Sequence, residues 1–154
     1  TKLSLRYAQR ALDGARAADD GDVIVSASAQ VAQALIDLGR ADEAVETMEA
    51  ALREKPSFDM PLNRVAAIIE VAAALTAADR LVESRARFEE ARTEALAVGH
   101  RGMACFCEGW IGGVDVMLGN VAAGRAALKD SDEGLRDSGR EKPRGSSFST
   151  PRPA

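Results

Sequence analysis

The feature of this sequence that most restricts its fold is an internal repeat with a period of 40 residues. A helical hydrophobic pattern breaks at Gly39, and a shift of 40 residues places Asp79 and then Gly119 at the same point. Four further positions match in size across the three copies. They are Ala32, Ala72 and Gly112; Ala44, Ser84 and Gly124; Met48, Phe88 and Leu128; and Ala51, Ala91 and Ser131. A repeated pair of helices with one apolar face has to stack on its neighbours to bury that face.

The repeat predicts an all-α fold in which tightly connected helices run antiparallel in pairs. Small residues let helix axes approach closely, and large apolar residues fill the space between them. No stretch alternates between apolar and polar residues for long enough to predict a strand. An unrelated helical bundle is the alternative, because short helices of similar length imitate part of this pattern.

The stretch over residues 38–56 resembles the second helix of a tetratricopeptide repeat (TPR). Its motif is Gly-Arg-x-Asp-Glu followed by Ala44-x3-Met48-x2-Ala51-x4-Pro56. The other two copies keep only the size pattern of this motif. In the first helix, Ser28 and Leu35 stand where the family has aromatic residues. The repeat length of 40 residues also exceeds the usual 34. The resemblance covers residues 23–136, and such long-helix variants resemble the arrays in large bacterial transcription activators and in some adaptor proteins of signalling and transport. It implies an α-solenoid, a right-handed superhelical stack of antiparallel hairpins, that acts as a binding scaffold and not as an enzyme.

The chain divides into a helical domain over residues 1–137 and a basic tail rich in Pro, Ser and Arg over residues 138–154, which is expected to be flexible. One leading helix and three hairpins are predicted, with helices over residues 3–18, 22–38, 41–54, 60–78, 80–98, 103–118 and 121 to about 136. Asp59 is the predicted cap of the fourth helix, and Pro61 is expected in its first turn. The leading helix matches the second helix of a hairpin, so it is either the start of a fragment or a natural cap. Leu5 and Tyr7 are expected on its uncovered face.

Charge and hydropathy argue against a membrane span and against direct nucleic-acid binding. The net charge is −4, and no stretch approaches 18 apolar residues without a charge. No signal peptide is visible, and two cysteines without an evident pairing suit a reducing compartment. The sequence therefore predicts a cytoplasmic protein.

Few residues are available for catalysis or metal binding, so no enzyme activity, cofactor or metal site is expected. His100 is the only histidine of the sequence. Cys105 and Cys107, its candidate metal partners, lie about 200° apart around a predicted helix and point to nearly opposite sides. One thiol is therefore expected in the core and the other at the periphery.

What remains is a surface for a protein or peptide partner. In the family that the repeat resembles, the first helices of successive hairpins line a concave face, which implies a small apolar groove suited to a partner helix. The candidate groove residues are Gln33, Ile36, Ile69, Ala73, Phe106, Gly109, Trp110, Gly113 and Met117. The groove lacks the Lys, Arg and Asn clamp with which some members hold acidic peptide termini. The alternative is that these residues pack against each other and leave no groove.

Two classes of function stay open on the sequence. The first is an interaction scaffold that binds a helix, a peptide or a second copy of itself. The second is a regulatory domain of a larger bacterial transcription regulator that senses a small ligand or peptide. A homodimer is expected through the leading helix or the region of Phe106, Trp110 and Met117. The competing expectation is a monomer whose basic tail folds over one end of the acidic helical domain.

Overall fold

A computed structural model describes residues 1–54 and 58–140, and within them the chain forms seven α-helices and no strand. The helices are α1 (Lys2–Ala17), α2 (Gly21–Asp37), α3 (Ala41–Glu54), α4 (Pro61–Ala77), α5 (Leu81–Ala97), α6 (Arg101–Met117) and α7 (Val121–Arg140). The predicted all-α class is confirmed. Helix α7 continues to Arg140, past its predicted end near Arg136. Pro56 and the part of the predicted tail after Arg140 lie outside the described residues.

Five of the helices end in the same tight turn. At the end of α2, the Arg40 N–H donates to the Leu35 C=O and the Gly39 N–H donates to the Ile36 C=O, both at 2.9 Å. Gly39 has a φ of 74°, in the left-handed region that favours glycine. The same two bonds end α1, α4, α5 and α6, and the left-handed residues there are Asp19, Asp79, Gly99 and Gly119. The predicted breaks at Gly39, Asp79 and Gly119 are confirmed.

The start of α4 is built differently, because a proline opens the helix. Pro61 is the first helical residue, where its missing N–H leaves no helical hydrogen bond unmade. The predicted cap at Asp59 is wrong: Met60 is the capping residue, and its side chain makes no capping hydrogen bond.

Packing follows chain order, since each helix packs against the next, and α2 also packs against α4. The size-matched positions of the repeat are buried at these contacts, with Leu128 as the exception. Met48 and Phe88 are fully buried in clusters that include residues of the following hairpin, whereas Leu128 is 42% exposed on α7. No later helix among the described residues covers it.

The contact between α6 and α7 depends on two glycines. A Cβ atom on Gly112 would lie 2.8 Å from the Gly124 carbonyl oxygen, and one on Gly124 would lie 2.5 Å from the Gly112 carbonyl oxygen. The two backbones therefore touch without intervening side chains, as the predicted column of small residues requires.

At one position of the repeat, an ion pair replaces an apolar contact between the last two hairpins. The repeat places Arg85 and Asp115 where the preceding copy has Val45 and Leu75, both buried. The Arg85 guanidinium donates to both Asp115 carboxylate oxygens, at 2.7 Å and 3.2 Å. These hydrogen bonds lower the pKa of Asp115, whose residue surface is only 5% exposed.

The leading helix α1 packs on α2 and contributes to the core through Ala8, Leu12 and Ala15. Leu5 packs against this cluster, so its predicted exposure is wrong, whereas Tyr7 is 63% exposed as predicted. Among the described residues, no helix combines the length and apolar character needed to cross a bilayer.

Candidate functional site

The candidate site is the surface formed by α2, α4 and α6, the first helices of the three hairpins. Their turns toward the second helices all fall at the same repeat position, so equivalent residues of the three helices share one side of the domain. Two shallow cavities lie in the gaps between these helices. We call this surface the first-helix face.

The first cavity, of about 330 Å³, lies between α2 and α4. Ala29 and Ile36 of α2 and Ala73 of α4 form its apolar floor, and all three are half-buried. Gln33 is exposed at its rim, where the side-chain amide donates to the Asp37 carboxylate at 2.9 Å. The cavity is therefore apolar at its base and polar at one edge.

The second cavity, of about 430 Å³, lies between α4 and α6. Ile69, Met103 and Phe106 supply most of its apolar lining, and Phe106 remains 42% exposed. His100 lies at its edge, where Nδ1 accepts the Met103 N–H at 3.0 Å and so caps α6. This histidine is thus already used in fixing the start of the helix.

Seven of the nine residues predicted for one groove are divided among three separate cavities. Gln33, Ile36 and Ala73 line the first, and Ile69 and Phe106 line the second. A third cavity, of about 240 Å³, lies between α6 and α7 and is lined by Phe106, Gly109, Trp110, Ser131 and Leu135. Gly113 and Met117 line none of these three cavities; Gly113 faces open space and Met117 is 57% exposed.

Gly109 lies at the contact between α6 and α7, next to the third cavity. A Cβ atom there would lie 2.8 Å from the Ser131 hydroxyl oxygen. That hydroxyl donates to the Cys105 carbonyl at 2.7 Å and ties α7 to α6. Gly109 therefore allows α7 to approach close enough for this hydrogen bond.

Trp110 is held in place by two aromatic contacts. It stacks on the buried Phe88, with ring centroids 5.4 Å apart and an interplanar angle of 8°. Phe106 meets it edge to face at 6.4 Å. Because Trp110 is still 42% exposed, the cluster presents a fixed aromatic surface to solvent.

The candidate reactive groups do not form a chemical site within the described residues. Cys107 is fully buried, and burial raises the pKa of its thiol to about 11, which keeps it protonated at neutral pH. Cys105 is half-buried, so the predicted division into one core and one peripheral thiol is confirmed. No three His, Cys, Asp or Glu side chains lie in an arrangement for a metal ion anywhere in residues 1–54 and 58–140.

Sequence reasoning missed Glu70, which lines both the first and the second cavity. It is exposed, and no described side chain forms an ion pair with it. The available signal was its position next to Ile69 on α4, which places a carboxylate on the predicted apolar side of that helix. A pattern based on residue size does not register this charge.

Comparisons with known proteins yield a structural likeness without a family. No protein family and no protein with a curated description matches the sequence. The fold is similar to that of BtubC (BKLC) from P. vanneervenii, with a TM-score of 0.76 at 14% sequence identity. The similar region covers 88% of this chain and 57% of the BtubC chain, so the chain matches little more than half of that structure. At this identity the likeness concerns the fold alone.

Proposed function

We propose that this protein is a non-catalytic interaction module of the TPR-like type that binds a helix or peptide of a protein partner on its first-helix face. The observation that carries this proposal is the pair of cavities on either side of α4, of which the second is mainly apolar and the first is apolar at its base. In helix-in-groove recognition, the apolar side of a partner helix binds to an exposed apolar surface that is fixed in position.

The arrangement of the helices supports the same proposal. The tight turns recur at a constant repeat position, and the size-matched residues pack the hairpins closely; we propose that the hairpins form a right-handed superhelical stack. In such a stack the first helices lie side by side and form a continuous binding face. Phe106 is the expected anchor contact, because aromatic side chains dominate the energy of protein interfaces.

The protein is proposed to act in the cytoplasm and to bind neither nucleic acid nor membranes directly. The two unpaired thiols, Cys105 and Cys107, suit a reducing compartment. The first-helix face also has no arginine or lysine in its two cavities, which argues against a phosphate-binding role.

The proposal is tested by selecting peptides that bind the protein from a displayed library and measuring the affinity of the purified peptides by titration. Ile69→Asp and Phe106→Ala are expected to weaken binding at least about tenfold, because both remove apolar surface from the second cavity. Val82→Asp is the matched control, since Val82 is 71% exposed on α5, away from this face. Binding that tolerates both cavity variants as well as the control would place the partner elsewhere and refute the proposed site.

A sensor of a small apolar ligand is the second candidate, because the second cavity has a volume within the range of ligand pockets, about 300–1,000 Å³. A small ligand would need only this cavity, whereas a peptide would need both. Ala73→Asp in the first cavity is therefore expected to abolish peptide binding and to leave binding of a small ligand unchanged.

A further inference from the structure

Basic residues are unevenly distributed between the two sets of helices. Helix α2 contains no Lys or Arg, and α4 and α6 contain one each. By contrast, α1, α5 and α7 contain three or four each, and α3 contains one. The first-helix face is therefore built from helices that are poor in positive charge.

The two basic residues of these helices do not reach the cavities. Arg64 of α4 is directed to α5, where its guanidinium pairs with Glu94 at 3.1 Å and with Glu90 at 3.5 Å. Arg101 is the first residue of α6 and lines neither cavity. The linings of both cavities therefore contain no Lys or Arg side chain.

Carboxylates do lie on this face. Glu70 is exposed between the two cavities, and Asp37 lies beside the rim of the first through its bond with Gln33. A fourth cavity, of about 290 Å³, lies near the starts of α2 and α4 on the same face and has Asp22 in its lining. An apolar surface that carries carboxylates and no Lys or Arg has a negative local potential, which favours a cationic partner.

On this basis we propose that the partner is a basic amphipathic helix, with apolar side chains in the two cavities and a Lys or Arg between them opposite Glu70. This inference rests on the proposed function and names the chemistry of its partner. The two cavities lie on either side of α4 and share Glu70, so their separation is one helix diameter, roughly 10–12 Å. A helix lying across the face covers about 10 Å in seven residues.

That spacing fixes the pattern expected in the partner. Apolar residues at positions i and i+7 would occupy the two cavities, and residues i+3 and i+4 lie between them on the same side of a helix. A Lys or Arg at i+3 or i+4 is therefore the residue that meets Glu70. A carboxylate at that position would be repelled.

Two designed helical peptides test the inference directly. Both are alanine-based, with capped ends and two leucines seven residues apart; one has lysines three and four residues after the first leucine, and the other has glutamates there. Fluorescence anisotropy of the labelled peptides gives both affinities. The lysine peptide is expected to bind at least about tenfold more tightly at low salt, and the difference should shrink as salt is added.

Charge-reversal variants of the protein show which residue causes the preference for the lysine peptide over the glutamate peptide. Glu70→Lys is expected to remove or invert the preference for the lysine peptide. Glu46→Lys is the matched control, because Glu46 is an exposed residue of α3 that lines a different cavity, between α1, α2 and α3. The control is expected to retain the preference within about twofold, since Glu46 does not line the cavities of the first-helix face.

The possible failures point to different errors. Equal binding of the two peptides, or a preference that survives Glu70→Lys, would overturn the inference and leave the apolar face as a binding site. Binding of neither peptide would overturn both this inference and the proposed site. A chain ended after Arg140 is expected to bind the lysine peptide with unchanged affinity. A clear gain in affinity would assign the face to this chain's own basic segment and overturn the assignment to a separate partner.

Discussion

Replacing the Arg85–Asp115 ion pair by apolar residues is expected to cost far less than removing Arg85 alone. Asp115 is almost fully buried, whereas the Arg85 side chain is 35% exposed and also pairs with Glu89. Arg85→Val therefore leaves a largely buried carboxylate with only its hydrogen bond from Asn120 and is expected to destabilise by about 2 kcal/mol. Asp115→Leu leaves an arginine that retains Glu89 and reaches water, while the new leucine is buried, so its cost is about 1 kcal/mol.

The double variant restores the Val45 and Leu75 pattern of the preceding copy and is expected to unfold with a free energy within about 1 kcal/mol of the parent, or above it. Urea unfolding followed by circular dichroism gives all four values and the coupling energy of the pair. Equal costs for the two single substitutions, or a double variant as unstable as their sum, would refute the reasoning.

The same pair predicts a pH dependence with a definite sign. Hydrogen bonds from Arg85 hold the pKa of Asp115 below its usual range, so its pKa is lower in the folded than in the unfolded chain. The resulting stabilisation is complete above the unfolded pKa of about 4 and is lost as pH falls toward the folded value. The double variant is therefore expected to gain stability relative to the parent as the pH is lowered from about 5 to about 2. A difference that stays constant over this range would contradict the assignment.

Two further matched comparisons use unfolding free energies. Ser28 and Ser84 are both fully buried, but no described group bonds the Ser28 hydroxyl, whereas that of Ser84 donates to the Ala72 carbonyl at 2.9 Å. Ser28→Ala is expected to be neutral or stabilising by up to about 1 kcal/mol and Ser84→Ala to destabilise by about 1 kcal/mol; the reverse order would contradict the assigned bonding. Gly113→Ala, which meets open space, is expected to stabilise by about 1 kcal/mol, whereas Gly112→Ala, which meets the α7 backbone, should destabilise by about 1–3 kcal/mol. Equal effects of the two alanines would exclude the close crossing.

The turns were predictable because they depend on local chemistry that recurs. Gly39 and Gly119 adopt the left-handed conformation that glycine permits at a helix end, and the 40-residue shift extends the assignment to Asp79. Residue size then located the buried contacts, as the full burial of Ala51 and Ala91 shows. Periodicity and size together therefore specify the helices and their packing faces.

The details of the candidate site were not predictable in the same way. A helical pattern shows which side of α6 a residue occupies, but it does not show how near α7 approaches; Gly109 was assigned to a groove and lies at that contact. Glu70 was overlooked because its neighbours define an apolar stripe, and the depth of each gap between helices depends on their actual separation. The replacement of Leu75 by Asp115 in the repeat was visible, but its partner Arg85 is 30 positions away in the sequence.

The exposed side of α7 leads to a prediction about self-association. Val121, Leu128 and Leu135 lie seven residues apart on one side of this helix, and each is 41–42% exposed. Phe88, the equivalent of Leu128 in the preceding copy, is fully buried in a cluster with Ile111 of α6. An apolar stripe with a seven-residue period is self-complementary in a two-fold pair of helices, so a dimer through α7 is expected.

Sedimentation at micromolar concentration checks this expectation. Leu128→Glu is expected to yield a monomer, because a carboxylate would be buried in the stripe of both copies at the two-fold contact. Val82→Glu on α5 is the control and should leave the dimer intact. The parent chain ended after Arg140, which keeps α7 complete, distinguishes a dimer through α7 from a monomer in which the residues after Arg140 cover the stripe. A monomer for both lengths of chain would exclude the α7 dimer, whereas a dimer that forms only in the shorter chain would mean that the residues after Arg140 cover the stripe.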